Sequence, residues 1–136
     1  MAASGMASER LEVMVVPGTP RAVGAVRRCF RDLLGPGHPA LDDVLLCQSE
    51  IMTNALRHTK SGVDGHIRIE ARISARGIRI EVTDDGGAES EPGVVPARDE
   101  SGRGLILVSE TADDWGYEHR DGTTTVWFAI TFLPAD

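Results

Sequence analysis

Apolar residues along this chain recur first with a period of two, then with a period near 3.6, and from residue 66 largely with a period of two again. Leu11, Val13 and Val15 alternate with Glu12 and Met14 ahead of the breakers Pro17 and Gly18, which predicts a short strand with those three residues on its apolar face. Thr19 then stands as an N-cap with Pro20 at the first helical position. Val23, Val26, Phe30 and Leu33 carry a first amphipathic helix as far as Gly35. Gly35, Pro36, Gly37, His38 and Pro39 read as a loop. Leu41, Val44, Leu45, Met52, Ala55 and Leu56 then form the apolar stripe of a second helix running to about Thr59.

From His66 onward Ile67, Ile69, Ala71 and Ile73 share one parity, Arg76 and Gly77 make a turn, and Ile78, Ile80 and Val82 resume the alternation, so a β-hairpin is expected. Asp84 to Gly104 is rich in Gly, Pro, Ser and acids without a period, which predicts a long loop of the kind that carries function. A short helix should follow from Leu105 to about Ala112. A strand from Trp115 to His119 comes next, then a turn at Asp121 and Gly122, and last a strand with Val126, Phe128, Ile130 and Phe132 inward. Helices and strands are segregated along the chain. The predicted fold class is therefore α+β, a two-layer α/β sandwich whose mixed, mostly antiparallel sheet is covered by helices on one face. Residues 1–10 are expected to be a flexible N-terminus and 11–136 one domain.

With 136 residues, 41% of them hydrophobic, the chain has the length for one continuous core. A formal charge of -7 sets it against a phosphate backbone, so direct nucleic-acid binding is not expected. No stretch has the length of a signal-peptide core or a bilayer span, so the expected location is cytoplasmic, with no membrane partner. Cys29 and Cys47 fall within predicted helices and outside any CxxC pair, and are read as two buried small hydrophobes.

Three groups of residues carry candidate chemistry. Glu50, Asn54 and His58 recur at four-residue spacing and line one helical stripe, roughly opposite Leu41, Val44 and Ala55. Pattern alone favours a solvated face. Leu46 and Cys47 border the stripe, however, and a carboxamide beside a carboxylate suits Mg²⁺ and proton chemistry. Asp84 continues the inward parity of Ile78, Ile80 and Val82, so it either meets a buried donor such as a purine amine or simply bonds the backbone of a turn with Asp85, Gly86 and Gly87. Ser101, Gly102, Arg103 and Gly104 precede the Leu105 helix, where glycines let backbone amides approach an anion. A flexible loop with a glycine cap is the plainer reading.

The order of the three, E-x-x-x-N-A-x-x-H, then D-x-G ending a strand, then a long loop, then G-x-G-L, resembles the N, G1 and G2 boxes of the GHKL, or histidine kinase-like, ATPase superfamily. The wording SEIMTNALRH at 49–58, SGRGL at 101–105 and GTTTVWF at 122–128 looks like its anti-sigma factor serine/threonine kinase branch, and the resemblance covers residues 11–133. It implies ATP and Mg²⁺ as cofactors, with Asn54 as the metal ligand, Glu50 as the general base, and Asp84 and Thr124 at adenine. His58 is placed at the nucleotide, Gly86 where the chain passes over it, and Gly102, Arg103, Gly104 and the Leu105 amide at the phosphates. Ala88 stands where the family often has a second glycine.

The activity so implied is an ATP-binding anti-sigma factor that sequesters a sigma factor, phosphorylates an anti-sigma factor antagonist and forms a homodimer. Two rivals stay open at this point: a non-catalytic, ATP-gated binding module, and a catalytic domain that phosphorylates a His on another protein.

Overall fold

The computed structural model describes residues 9–58, 65–84 and 100–133, with side chains at all of these except 58 and 100–104. Its elements are β1 (Arg10–Pro17), α1 (Pro20–Leu34), α2 (Leu41–His58), β2 (His66–Ile73), β3 (Gly77–Asp84), α3 (Glu100–Thr111), β4 (Asp114–Arg120) and β5 (Thr123–Thr131). The strands form one five-stranded sheet in the order β1-β2-β3-β5-β4. A mixed, mostly antiparallel sheet was expected, and every pairing among these strands is antiparallel. The reason is topological. Among the described residues α1 and α2 lie between β1 and β2, and the chain re-enters the sheet at the end from which it left; α3 lies between β3 and β4, and there the chain re-enters at the other end.

The same path gathers one set of termini together. The end of α2, the end of β3, the start of α3, the end of β4 and the start of β5 all lie at one end of the molecule. The helices cover one face, with α2 in the middle, packed against α1 on one flank and α3 on the other, and resting on β3 and β5.

Register fixes what the helices meet. Across the sheet the inward rows read Glu12, Ala71, Ile80, Phe128, Trp115, then Met14, Ile69, Val82, Val126, Tyr117, then Val16, Ile67, Asp84, Thr124, His119. β3 and β5 are apolar in the first two rows and turn polar in the third, which lies at the end where the helix and strand termini gather. On β1 the expected apolar face is reversed: Leu11, Val13 and Val15 are roughly half or more exposed on the outer face, while Met14 and Val16 pack against the core. Both parities of this strand carry apolar residues, so alternation alone could not choose between them. Pairing of Val16 with Ile67 and Met14 with Ile69 did.

Several local expectations are also corrected. Thr19 sits at the N-cap of α1 in an extended conformation, but its side chain makes no capping bond, and the entry is fixed by Pro20 and the Ala22 amide donating to the Thr19 carbonyl at 3.0 Å. Gly35 ends the helix at φ 88°, which a side chain would resist. Gly77 opens β3 rather than closing the turn. The Ser74 hydroxyl spans Ala75 and Arg76, accepting from the amides of Arg76 and Gly77 at 3.3 and 3.1 Å. Cys29 is exposed and only Cys47 is buried.

A polar clasp holds α1 to α2. Arg27 donates to the Leu45 carbonyl at 3.2 Å and to Ser49 Oγ at 2.8 Å, and buried Gln48 donates to the Val23 carbonyl at 3.2 Å. Gln48 Nε2 also lies 3.0 Å from Met52 Sδ. Gln48→Ala should lower the unfolding free energy by about 2–4 kcal/mol, through the cavity and the lost bond together. Gln48→Met, which keeps the volume, should cost only about 1 kcal/mol. Urea denaturation of the pair separates the two contributions, and a Gln48→Met protein as stable as wild type would contradict the clasp.

Asp113 fastens the other edge, its Oδ2 accepting from the Thr131 amide at 2.5 Å and the Thr131 hydroxyl at 2.9 Å. These bonds hold its carboxyl below the ordinary value. A lowered folded value stabilises the fold above the unfolded pKa of about 4 and is lost as pH falls through the folded one. The melting temperature of wild type should therefore exceed that of Asp113→Ala at pH 7, and the gap should close under acid. A gap independent of pH would overturn the assignment.

Candidate functional site

The three inward residues at the polar end of the sheet stand side by side on β3, β5 and β4. Asp84 is directly opposite Thr124, and Thr124 is directly opposite His119. Asp84 and Thr124 are only 4% and 2% exposed, so the sheet buries a carboxylate and a hydroxyl where its other central inward positions hold Ile, Val and Phe. Such burial costs free energy unless each group is hydrogen-bonded. Thr124 Oγ1 lies 2.7 Å from His119 Nδ1, and Asp84 also has a partner.

α2 delivers the second set of groups. The apolar stripe read from sequence places Asn54 on the far side of the helix, but α3 covers that side. Cys47, Ile51 and Asn54 are all buried, and Glu50 is half-buried beside them. Asn54 is 3% exposed, and its Oδ1 has no hydrogen-bond partner among the described residues. An orphaned amide oxygen in a buried position is a cost that folding alone does not repay. Leu105 and Val108 of α3 are the buried residues that close this flank. The carboxylates of Asp43 and Glu50, after burial itself, help push the Cys47 thiol up to about 12, so this cysteine stays protonated and inert.

The phosphate-loop expectation changes. α3 begins at Glu100, so Gly102, Arg103, Gly104 and Leu105 lie inside a helix instead of before one. Leu105 is more than a turn in, where helical pairing engages its amide. The amides left free by helix geometry are those of the first turn, Glu100 to Gly102. Gly86, Ala88 and the rest of residues 85–99 lie outside the described residues, as does the His58 side chain, although His58 closes α2 at the same end.

Asp84, Thr124 and the start of α3 therefore lie at one end of the sandwich, with Asn54 in the last turns of α2 at the same end and Glu50 one turn further back along it. His119 joins them unanticipated. Its signal was present in the sequence: the two-residue turn at Asp121 and Gly122, whose positive φ values of 53° and 82° mark a tight hairpin, pairs residue 119 with 124 by counting outward. A groove of about 530 Å³ lined by Leu34, His38, Ser74 and Phe132 lies at the opposite end and holds none of these residues.

A donor set this sparse bears on which ion could bind. Among the described residues no three His, Cys, Asp or Glu side chains cluster as a metal cage. A lone amide oxygen suits a cation that brings most of its own ligands, as Mg²⁺ does with phosphates and water, so the Asn54 oxygen fits the group.

Comparison with solved structures finds the crystal structure of the RsbU and RsbW domains of Rv1364c from Mycobacterium tuberculosis, with a TM-score of 0.68 and 22% identity, covering 93% of this chain. The match spans only 34% of that chain, and at this identity it shows a shared fold. No match was found among curated proteins. Over residues 16–130 the sequence matches the histidine kinase-like ATPase domain, and the chain belongs to that family.

Proposed function

We propose that this chain binds ATP with Mg²⁺ at the polar end of the sheet and transfers the γ-phosphoryl group to a Ser or Thr hydroxyl of an anti-sigma factor antagonist, and that it also sequesters a sigma factor. The observation that carries the reading is the buried, unpartnered Asn54 oxygen one helical turn from Glu50. Family membership supports the nucleotide. The likeness to a structure containing an RsbW domain and the sequence resemblance to anti-sigma factor kinases support the protein substrate.

Each side chain has a separable task. Asp84 and Thr124 receive the adenine edge, an acceptor beside a hydroxyl. Free amides in the first turn of α3 face the phosphates, favoured by the helix dipole. Asn54 Oδ1 would hold the Mg²⁺, which when bound neutralises phosphate charge. Glu50, on the half-buried side of α2, accepts the proton of the attacking hydroxyl and orients it. Phosphoryl transfer demands mostly positioning and charge compensation, so a helix wedged between two others is a suitable platform for both residues. The same reading places the protein in the cytoplasm as a homodimer. Among the described residues no helix is long and apolar enough to cross a membrane.

Asn54 offers the sharpest test because its two roles oppose each other. Asn54→Leu should leave the fold at least as stable as wild type, since an orphaned polar atom is removed, and should abolish the Mg²⁺-dependent part of ATP affinity. Thermal melts and calorimetric titration together check this. A destabilised variant that still binds ATP with Mg²⁺ would contradict the metal role.

Glu50→Gln should keep nucleotide affinity and lose phosphoryl transfer, whereas Asp84→Asn should cost about 1–3 kcal/mol of ATP binding. Incubation with γ-labelled ATP and candidate antagonist proteins reads the transfer directly. Acid-stable label on Ser or Thr is expected. Acid-labile label would instead identify a phosphorylated His, and binding without any transfer would leave an ATP-gated module.

A further inference from the structure

His119 belongs to none of the motifs that point to ATP, yet its ring caps the Thr124 hydroxyl at the site. The contact is short, 2.7 Å from His119 Nδ1 to Thr124 Oγ1, and the two residues are direct cross-strand partners. Thr124 is buried, whereas His119 is exposed at the rim, so the ring closes the open side of a hydroxyl that otherwise faces inward. Tyr117, two residues back on the same face, meets that ring edge-on with centroids 6.4 Å apart and helps fix its plane.

The direction of this hydrogen bond decides what Thr124 can offer a ligand. A hydroxyl carries one proton. If the Thr124 proton goes to His119 Nδ1, the row presents the Asp84 carboxylate and a hydroxyl lone pair, which are two acceptors. If His119 instead donates from an Nδ1–H, the Thr124 proton is free, and the row presents an acceptor beside a donor. The Watson–Crick edge of adenine offers a donor, the 6-amino group, next to an acceptor, N1. Only the second arrangement complements it.

We propose that His119 is a positioning residue for base recognition: it donates from Nδ1–H to Thr124 Oγ1 and thereby directs the Thr124 hydroxyl proton to adenine N1 while Asp84 takes the amino group. This rests on the reading that the site binds ATP. The ring does not touch the base. It fixes which of two hydrogen-bond patterns the buried pair displays, and so favours adenine over a base edge whose corresponding positions are reversed.

The test compares ATP with 1-deaza-ATP, in which N1 is replaced by C–H, by calorimetric titration. Wild type should prefer ATP about fivefold, the ratio supplied by one neutral hydrogen bond of about 1 kcal/mol. His119→Asp offers only acceptors, captures the Thr124 proton and should bring the ratio to about one. His119→Asn can still donate and should keep it. Thr124→Val should flatten the ratio in every background, and melting curves confirm that the exposed His119 substitutions leave the fold intact. A preserved ratio in His119→Asp overturns the proposal, as does loss of the ratio in both His119 variants, which would make the ring itself, not its donor, the requirement. A wild type that binds ATP, loses affinity on Asp84→Asn and yet ignores N1 overturns the proposal while leaving the ATP site standing. A wild type that does not bind ATP overturns both.

Discussion

Everything at the functional end depends on the strict alternation of β3. Its inward residues Ile78, Ile80, Val82 and Asp84 are all buried, and its outward residues Arg79, Glu81 and Thr83 make the outer face. A slip of one residue would bury Arg79 and Glu81 beneath α2 and expel three aliphatic side chains into water, a loss of several kcal/mol in burial alone. That penalty locks β3 against β2 and β5, and the lock places Asp84 opposite Thr124. The apolar rows thus determine where the polar row stands, although they take no part in its chemistry.

The structure accepts a local cost at that end. Among the described residues Asn54 Oδ1 is buried and unpartnered, and Asp84 and Thr124 occupy inward positions of the kind that β3 and β5 otherwise give to hydrocarbon. α2 tolerates this because the clasp of Arg27, Ser49 and Gln48 on one flank and the contact with α3 on the other hold it from both sides. A site built on a helix wedged in this way is rigid by packing, so its unsatisfied group cannot relax toward solvent. Binding energy from a ligand is what such a group is left to supply.

The outer face follows a different rule. On β2 Glu70 pairs with both Arg68 and Arg72, on β3 Arg79 pairs with Glu81, and the Arg79 guanidinium lies 4.0 Å above the Trp127 ring. Trp127 in turn covers Gly116 on the neighbouring strand, where a Cβ would come within 2.9 Å of the indole, so the glycine makes room for the ring. These exposed pairs contribute little individually, and their effect is to cover the sheet with charge. β1 departs from that scheme, with Leu11, Val13 and Val15 on its outer side.

Much of this was legible in the chain because periodicity reports burial directly. The 3.6 and 2.0 periods located the three helices and five strands of the described residues, the segregation of elements gave the fold class, and parity put Asp84 and Thr124 inward. The spacing of E-x-x-x-N and the G-x-G-L sequence, taken together with D-x-G, pointed to the family. Three things needed the tertiary structure. The face of β1 was undecidable because both of its parities are apolar, and only pairing with β2 chose Met14 and Val16. The burial of Asn54 required α3, an element some fifty residues away, to cover a flank that the helical stripe alone leaves in water. The start of α3 at Glu100 ran against two glycines, whose poor intrinsic helix propensity predicts a loop there. In each case a local pattern gave way to a contact distant in sequence, which periodicity within one segment does not encode.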